Sequence, residues 1–409
     1  MAPVDKTSLA DPVTPELDST TDELDSRRSW VIVAAAAVSM FTVFAIGYSF
    51  GAFFESMADE FGTGSGATAL SFSITIAVSF FLSRWTGLWG DRFGPRPLLI
   101  AAAISLSTGL LATTLAPNIY VGYVTYGFGV GLAIALGYVP LVSAVTTWFE
   151  AKRATATGIA VAGIGLGTMV GSPASAALID ATSWRTTYVI YAIVGAGLLL
   201  GAASVARAGP SASDPGRLPS FKELFSKRDF QLLYGAITFS SLGLFVPFVF
   251  VATYAEERGT SEVWAAVLIS IIGGASVIGR LGLGALADRA GAMRLFRLSI
   301  TIMMLSHVIW LTGGDRYWQL VIYTVVLGLS YGGFIALSPV VTAERFGLVG
   351  LGGVLGTLYT SAGIGTLAGP PIAGVLRDEF GYRWAIGFAV TMTSVAVAIL
   401  MAFRPSNPT

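Results

Sequence analysis

The 409-residue sequence predicts an all-α membrane protein, with twelve transmembrane helices in two pseudo-symmetric six-helix halves. Three observations predict it. Hydrophobic residues make up 54% of the chain and charged residues only 12%, against about 25% charged in a typical soluble domain. Apolar runs of spanning length, about 20 residues, recur from Trp30 to the end. The chain also repeats itself: Gly87-x-x-x-Asp91-Arg92-x-Gly94 returns 197 residues later as Gly284-x-x-x-Asp288-Arg289-x-Gly291. A second series, Gly165, Gly167, Gly171, Pro173, Asp180 and Arg185, reappears 198 positions on as Gly363, Gly365, Gly369, Pro371, Asp378 and Arg383. An ordered set of matches at one offset marks a duplicated unit.

The elements follow in order. Residues 1–29, with Asp11, Glu16, Asp18, Asp22, Glu23 and Asp25, lack an apolar core and read as a disordered polar tail rather than a signal peptide. The first half, 30–207, holds spans near 30–53, 66–90, 97–116, 119–147, 154–178 and 184–206. A linker over 208–228 follows, rich in Pro and Gly, as in Gly209-Pro210-Ser211 and Asp214-Pro215-Gly216. The second half, 229–403, holds spans near 229–255, 262–287, 294–313, 317–343, 350–376 and 382–403, with a short tail over 404–409. Each copy of the charged turn falls at the end of an apolar run. With both termini cytoplasmic, the inner loops and tails hold 17 of the 24 basic residues and the outer loops five. That bias is the positive-inside rule and sets the orientation expected in a cell membrane.

Several function classes drop out on composition. Net charge is zero, which argues against nucleic acid as a partner. With no cysteine and one histidine, disulfides and thiolate or imidazole metal sites are not expected. The Gly-rich stretches lack a P-loop lysine and strand context, so no phosphate-bearing cofactor is expected. Gly127-x-x-x-Gly131, Gly167-x-x-x-Gly171 and Gly352-x-x-x-Gly356 read as close helix packing within a monomer.

Placed between the second and third spans, Gly87-Leu-Trp-Gly-Asp91-Arg92-Phe-Gly94-Pro-Arg96 resembles the signature of the major facilitator superfamily, as does the layout of two six-span halves. A narrower resemblance is to the monocarboxylate transporter family and its oxalate/formate-exchanger relatives. It rests on Trp148-Phe149-Glu150-Ala-Lys152-Arg153 leading into Gly158, Ala160 and Gly163, on Tyr331-Gly332-Gly333-Phe334 through Pro339, and on Gly369-Pro370-Pro371 before Asp378. Ser29-Trp30-Val31 stands where that family opens helix one with an acidic-Gly-aromatic pattern. Ser276 stands where animal members carry an aspartate one turn before a helix-eight arginine. The resemblance implies a secondary transporter that works by alternating access and moves protons with a small monocarboxylate.

The residues themselves point to an anion. Arg280 lies in Gly273-Gly274-Ala-Ser276-Val-Ile-Gly279-Arg280-Leu-Gly282-Leu-Gly284, a few positions from the middle of its span. A charge at that depth costs at least about 2.5–3.5 kcal/mol and usually faces a cavity, and a guanidinium fork binds a carboxylate through two parallel hydrogen bonds. The repeat places Ser83 opposite it, so duplication does not explain the arginine. Its other reading is a structural pairing with helix-end carbonyls. All 24 Asp and Glu residues fall in loops, tails or span ends, so the site has no counter-ion of its own in the sequence. Helix eleven carries no lysine to hold a second carboxylate, whereas the oxalate exchangers do, so a monoanion such as lactate or pyruvate is expected. Tyr331, Tyr359, Tyr126, Tyr48 and Phe44 are expected around the site with Ser276. Gly87, Asp91, Arg92, Gly94, Gly284, Asp288 and Arg289 are expected to form a gate. Arg84 reads as support for that gate. His307, in helix nine, reads as packing, with a proton relay as the other possibility.

The expected function is thus secondary transport of a small monocarboxylate coupled to protons. An oxalate/formate-type exchanger and a neutral-drug exporter of the same fold are the rivals. An intramembrane enzyme is disfavoured, because the spans hold no carboxylate, cysteine or histidine cluster to activate water.

Overall fold

The computed structural model describes residues 24–62, 65–210, 220–313 and 316–403. Most of the expected tail over 1–29, the whole of that over 404–409 and the middle of the expected linker, 211–219, lie outside the described residues. The chain enters α1 (Arg27–Tyr48) through Ser26, whose hydroxyl accepts from the Ser29 amide at 3.4 Å. The first span, expected as one helix over 30–53, stops at Tyr48 and restarts as α2 (Phe50–Phe61). At the break the Ser49 hydroxyl donates to the Ile46 carbonyl at 3.0 Å, a local bond that competes with the helix ladder. The restarted helix lays Phe53 flat on Tyr188, with ring centroids 4.3 Å apart.

α3 (Ser65–Phe93) passes into α4 (Pro95–Thr114) through Gly94 at φ 75°, a left-handed conformation that only glycine adopts cheaply. Pro95 then opens the helix at a position whose N–H would be unpaired in any case. Gly291, at φ 91°, makes the matching turn in the second half, so both copies of the motif end in glycine for the same backbone reason. The fourth span is not a regular helix. α5 (Ile119–Gly122) runs through a π-helical turn over Tyr123–Phe128 into α6 (Gly129–Trp148). There Gly109 and Gly129 approach so closely that a Cβ on Gly129 would lie 2.6 Å from the Gly109 Cα.

α7 (Arg153–Ala181) and α8 (Trp184–Val205) complete the first six spans, and Ser183 caps the latter by accepting from the Thr186 amide at 3.2 Å. The linker contains α9 (Phe221–Ser226), held by a capping box between Ser220 and Glu223. The second six are α10 (Arg228–Glu256), α11 (Glu262–Ala290), α12 (Ala292–Gly313), α13 (Tyr317–Phe346), α14 (Leu351–Phe380) and α15 (Tyr382–Met401). Ten segments among the described residues are long and apolar enough to cross a membrane. α3 and α14, of 29 and 30 residues, add two more of spanning length, about 44 Å at 1.5 Å per residue.

α1 packs on α7 and α4 on α8, while α10 packs on α14 and α15 and α11 on α13. The most extensive contacts between the first six spans and the second six are α3 with α14 and α7 with α11, with smaller ones of α13 on α7 and of α14 and α13 on α6. Small residues permit these contacts. On α7, a Cβ at Gly167 would sit 2.5 Å from the Phe41 carbonyl oxygen of α1, whereas one at Gly197 of α8 would meet nothing within 4 Å. Gly167→Ala is therefore expected to destabilise by about 1–3 kcal/mol through overpacking, and Gly197→Ala to be neutral or stabilising. Thermal unfolding in detergent ranks the pair, and equal melting temperatures would contradict this packing.

Candidate functional site

The two copies of the charged turn make the same contact. Asp91, at the end of α3, accepts from the Gly352 and Gly353 amides that open α14, at 2.8 and 2.7 Å. Asp288, at the end of α11, accepts from the Ala154 and Thr155 amides that open α7, at 2.8 and 3.0 Å, and from the Thr155 hydroxyl at 2.5 Å. Residues 352 and 353 stand 198 positions after 154 and 155, so the two caps are images of each other under the repeat. The first amides of a helix lack partners and carry its positive end, and a carboxylate satisfies both needs. Arg92 and Arg289 are exposed beside these caps.

Next to each cap the backbones touch. A Cβ on Gly87 would collide with the Gly352 carbonyl oxygen, and one on Gly356 with that of Ser83. In the other pair, a Cβ on Gly284 would lie 2.9 Å from the Ala154 oxygen, and one on Gly158 2.5 Å from the Arg280 oxygen. Gly158 and Gly356 are again 198 apart. One end of the molecule is thus closed by two glycine seams.

Above the seams lies an inner cavity of about 60 Å³, with Phe44, Phe80, Tyr138, Ser241, Tyr331 and Tyr359 among its walls. It shares Tyr48, Ile76, Phe245 and Tyr331 with an outer cavity of about 400 Å³. Phe72, Val249, Pro370 and Pro371 line that outer space, in the parts of α3, α10 and α14 away from the seams.

Arg280 lines neither cavity but stands behind Tyr331, which lines both. It is 1% exposed, with its guanidinium carbon 5.4 Å from the Tyr331 ring centroid. Its Nε and Nη1 have no hydrogen-bond partner, and among the described residues no carboxylate pairs with it. Glycines make the room: a Cβ on Gly165 of α7 would lie 2.6 Å from Nη1, and one on Gly332 of α13 would lie 2.8 Å from the Arg280 amide nitrogen. The repeat supplies a control. Ser83 occupies the equivalent place on α3, its backbone makes the same seam contact, and its hydroxyl donates to the Gly356 carbonyl at 2.8 Å. The seam therefore needs this backbone but not this side chain. A buried charge without a partner costs about 3–5 kcal/mol, a penalty of the kind that a carboxylate on the guanidinium fork would relieve.

The other expected site residues divide. Tyr331 and Tyr359 line the inner cavity, as do Phe44 and Tyr48. Tyr359 of α14 stacks on Tyr138 of α6 at 5.5 Å and 5°, and the Tyr138 hydroxyl donates to that of Tyr359 at 3.4 Å. Ser276 lines neither cavity; its hydroxyl donates to the Gly273 carbonyl at 2.7 Å, one turn from Arg280. Tyr126 lines neither cavity and is corrected: it is fully buried against Phe50 and Tyr188, and its hydroxyl donates to the Ile46 carbonyl at 3.2 Å. It falls within the π-helical turn, where the phase of a regular helix no longer says which face a side chain takes. His307 also lies away from both cavities, with Nδ1 2.7 Å from the Met303 carbonyl and Nε2 3.2 Å from the Gly243 carbonyl. Arg84 reaches across the seam to the Thr357 hydroxyl, with its guanidinium 5.4 Å from the Phe221 ring of α9.

Four residues escaped the sequence reading. Tyr138, Ser241 and Phe245 line the inner cavity, but an apolar or hydroxyl residue in an apolar helix does not declare its face. Asp25 accepts from the Glu150, Ala151 and Lys152 amides at 3.1, 3.0 and 3.2 Å, with its own backbone at φ 54°. Its position five residues before Trp30 was the available signal.

Two sets of six spans meeting at one end around a central cavity define a membrane transporter fold. The sequence pattern of the Major Facilitator Superfamily matches residues 35–317 and 294–409, and the chain belongs to that family. Among its relatives, Monocarboxylate transporter 3 of Rattus norvegicus is 29% identical over 399 residues, covering 92% of this chain and 80% of that protein. Monocarboxylate transporter 11 of Homo sapiens is 29% identical over 383 residues, covering 87% and 79%. An MFS-type transporter of Gibberella moniliformis is 30% identical over 315 residues, covering 76% and 75%. Among solved structures, FucP in its outward conformation superposes with a TM-score of 0.71 at 15% identity, covering 91% of this chain and 99% of that one. That likeness concerns the fold.

The caps give a prediction. Asp91→Asn removes the charge from two charge-assisted bonds, each worth about 1.5–3 kcal/mol, and should favour opening of the seams. The chain has no cysteine, so Ala343→Cys, buried at 4% exposure in the core that residues of both sets of spans share, provides a single reporter. Its maleimide labelling should rise about tenfold in the Asp91→Asn background, at about 1.4 kcal/mol per decade. An unchanged rate would show that the cap does not hold the seam.

Proposed function

We propose that the chain is a secondary active transporter that carries a small monocarboxylate of the lactate and pyruvate class, together with protons, by alternating access. The observation that carries this reading is Arg280, a buried guanidinium with two unpartnered nitrogens against Tyr331, a wall of the central cavity. The relatives named as monocarboxylate transporters support the same substrate class. Residues 30–207 and 229–403 serve as the two moving halves, 208–228 links them, and Tyr331 and Tyr359 flank the bound acid. The glycine seams close the cytoplasmic side, so the conformation is outward-facing, with both termini cytoplasmic in a multi-pass protein of the cell membrane. The monomer is sufficient for transport.

Arg280→Lys keeps the charge but cannot reproduce the two-bond fork, so lactate uptake into proteoliposomes should fall at least tenfold. Near-normal uptake in Arg280→Lys would remove Arg280 from the site.

Coupling to protons needs no dedicated buried acid. An anion held at Arg280 raises the proton affinity of the groups around it. His307 is bound to two carbonyls away from the cavity, which supports packing over relay. An inward pH gradient should therefore drive accumulation, and His307→Ala should retain at least about half of it. Uptake indifferent to the gradient but stimulated by preloaded anion would identify an exchanger instead.

A further inference from the structure

At the end of the molecule opposite the seams, each set of six spans has an equivalent corner, and the sequence marks both. Glu60-Phe61-Gly62-Thr63 returns 197 positions on as Glu257-Arg258-Gly259-Thr260. Thr114, Trp184 and Arg185 return 198 positions on as Thr312, Tyr382 and Arg383. Gly62 and Gly259 both turn the chain at positive φ, 60° and 86°. The first corner is closed by its own side chains. Arg185 pairs with Glu60, and its Nε donates to the Thr114 carbonyl at 2.9 Å. The Trp184 indole donates to Glu60 at 2.5 Å and meets the Phe61 ring edge-on, with centroids 5.9 Å apart.

The second corner has the same ancestry but stays open. Glu257 accepts from the Tyr382 hydroxyl at 2.8 Å, in place of an arginine. Arg383 is exposed, and no ion pair among the described residues holds it. Arg258 stands where the repeat has Phe61, its guanidinium carbon 3.5 Å from the Tyr254 ring centroid and 5.7 Å from that of Tyr382. Between the ends of α10, α12 and α15 lies a pocket of about 470 Å³, with Arg258, Arg383, Thr312, Leu311 and Ile386 among its walls. Among the described residues its lining holds two arginines and no carboxylate. It shares no residue with either central cavity.

We propose that this pocket binds the phosphate of an anionic phospholipid, with Leu311 and Ile386 against the glycerol and first acyl carbons. Three lines support it. Two guanidinium forks match a phosphate oxyanion, which each can hold through paired hydrogen bonds. The pocket lies at headgroup depth, since Phe380 and Trp384, at the turn that leads into its wall, are 62% and 61% exposed and form the aromatic belt of a membrane interface. α12 and α15, which supply much of its wall, line neither central cavity, so the site stands beside lipid and off the path of a transported anion. The phosphate does for Arg383 what Glu60 does for Arg185. In each set it supplies the anion for the arginine that opens the last helix.

Lipid titration of the full chain in detergent tests the site. Dioctanoyl-phosphatidylglycerol should raise the melting temperature saturably, because a ligand of the folded state stabilises it by mass action. Dioctanoylglycerol, which lacks the phosphate, and inorganic phosphate, which lacks the lipid, should not do so at the same concentrations. Arg383→Gln should weaken the lipid's effect at least about tenfold, the loss expected from a charge-assisted contact. Arg258→Phe, which rebuilds the pattern of the first corner, should weaken it as much. Lys222→Gln, which removes an exposed charge at the other end of the molecule, should leave it unchanged. An equal shift with dioctanoylglycerol, a shift with phosphate alone, or full lipid response in both arginine variants would overturn the proposal. Native mass spectrometry of the unaltered chain gives a check that needs no variant. Phosphatidylglycerol should be retained over dioctanoylglycerol, and equal retention would refute the site.

Discussion

The rest of the molecule depends on two carboxylates, Asp91 and Asp288, each seated on the first amides of a helix from the other set of six spans. Each contact matches an anion to the positive end of a helix without interlocking side chains. The glycine seams beside them have the same character, since backbone meets backbone at Gly87, Gly158, Gly284 and Gly356. Around them, side chains of both sets share one core, with Leu351, Leu355 and Tyr359 packed among residues of the first six spans. Interactions of a few kcal/mol per cap are also of the size that a two-state equilibrium can shift in either direction. A larger or more interdigitated joint would fix one conformation permanently.

Symmetry supplies the scaffold and its breaking supplies the chemistry. The duplicated positions agree wherever the backbone sets the requirement: the left-handed glycines 94 and 291, the capping aspartates, and the seam glycines. They differ where a ligand would be read. Arg280 stands opposite Ser83, and Gly165 makes room for the guanidinium, whereas its repeat partner Gly363 faces Phe80. The second set of spans thereby holds the charge and the first holds much of the apolar wall. Between them the stacked pair Tyr138 and Tyr359 lies on the inner cavity and joins α6 to α14.

The features legible in the sequence were those with few physical substitutes. A glycine at positive φ, a carboxylate at a helix end and a charge in an apolar span each leave a residue type that stands out. The repeat offsets made the seams traceable, because 154 with 352 and 158 with 356 follow from the same spacing. What was not legible depends on helical phase. The π-helical turn over Tyr123–Phe128 carries Tyr126 into the packing among α1, α2 and α8, and the break at Ser49 divides a run that composition alone reads as continuous. Ser241 and Phe245 are ordinary residues for an apolar helix, and only their neighbours show that they face a cavity.

Arg280 takes part in two structures at once, the seam through its backbone and the surroundings of the cavity through its side chain. Its carbonyl is the point at which α11 meets Gly158 of α7, its amide lies against Gly332 of α13, and its guanidinium lies beside Tyr331 at the cavity. The side chain is confined on one side by Gly165 and on the other by the tyrosine ring, so it has little freedom to meet a ligand by rotamer change alone. The backbone that carries the guanidinium is the same backbone that forms the seam, whereas Ser83 makes the equivalent seam contact with a hydroxyl in place of the charge. A carboxylate bound there, as proposed, would relieve a penalty of the order of one cap, about 3–5 kcal/mol, at the residue whose carbonyl meets Gly158.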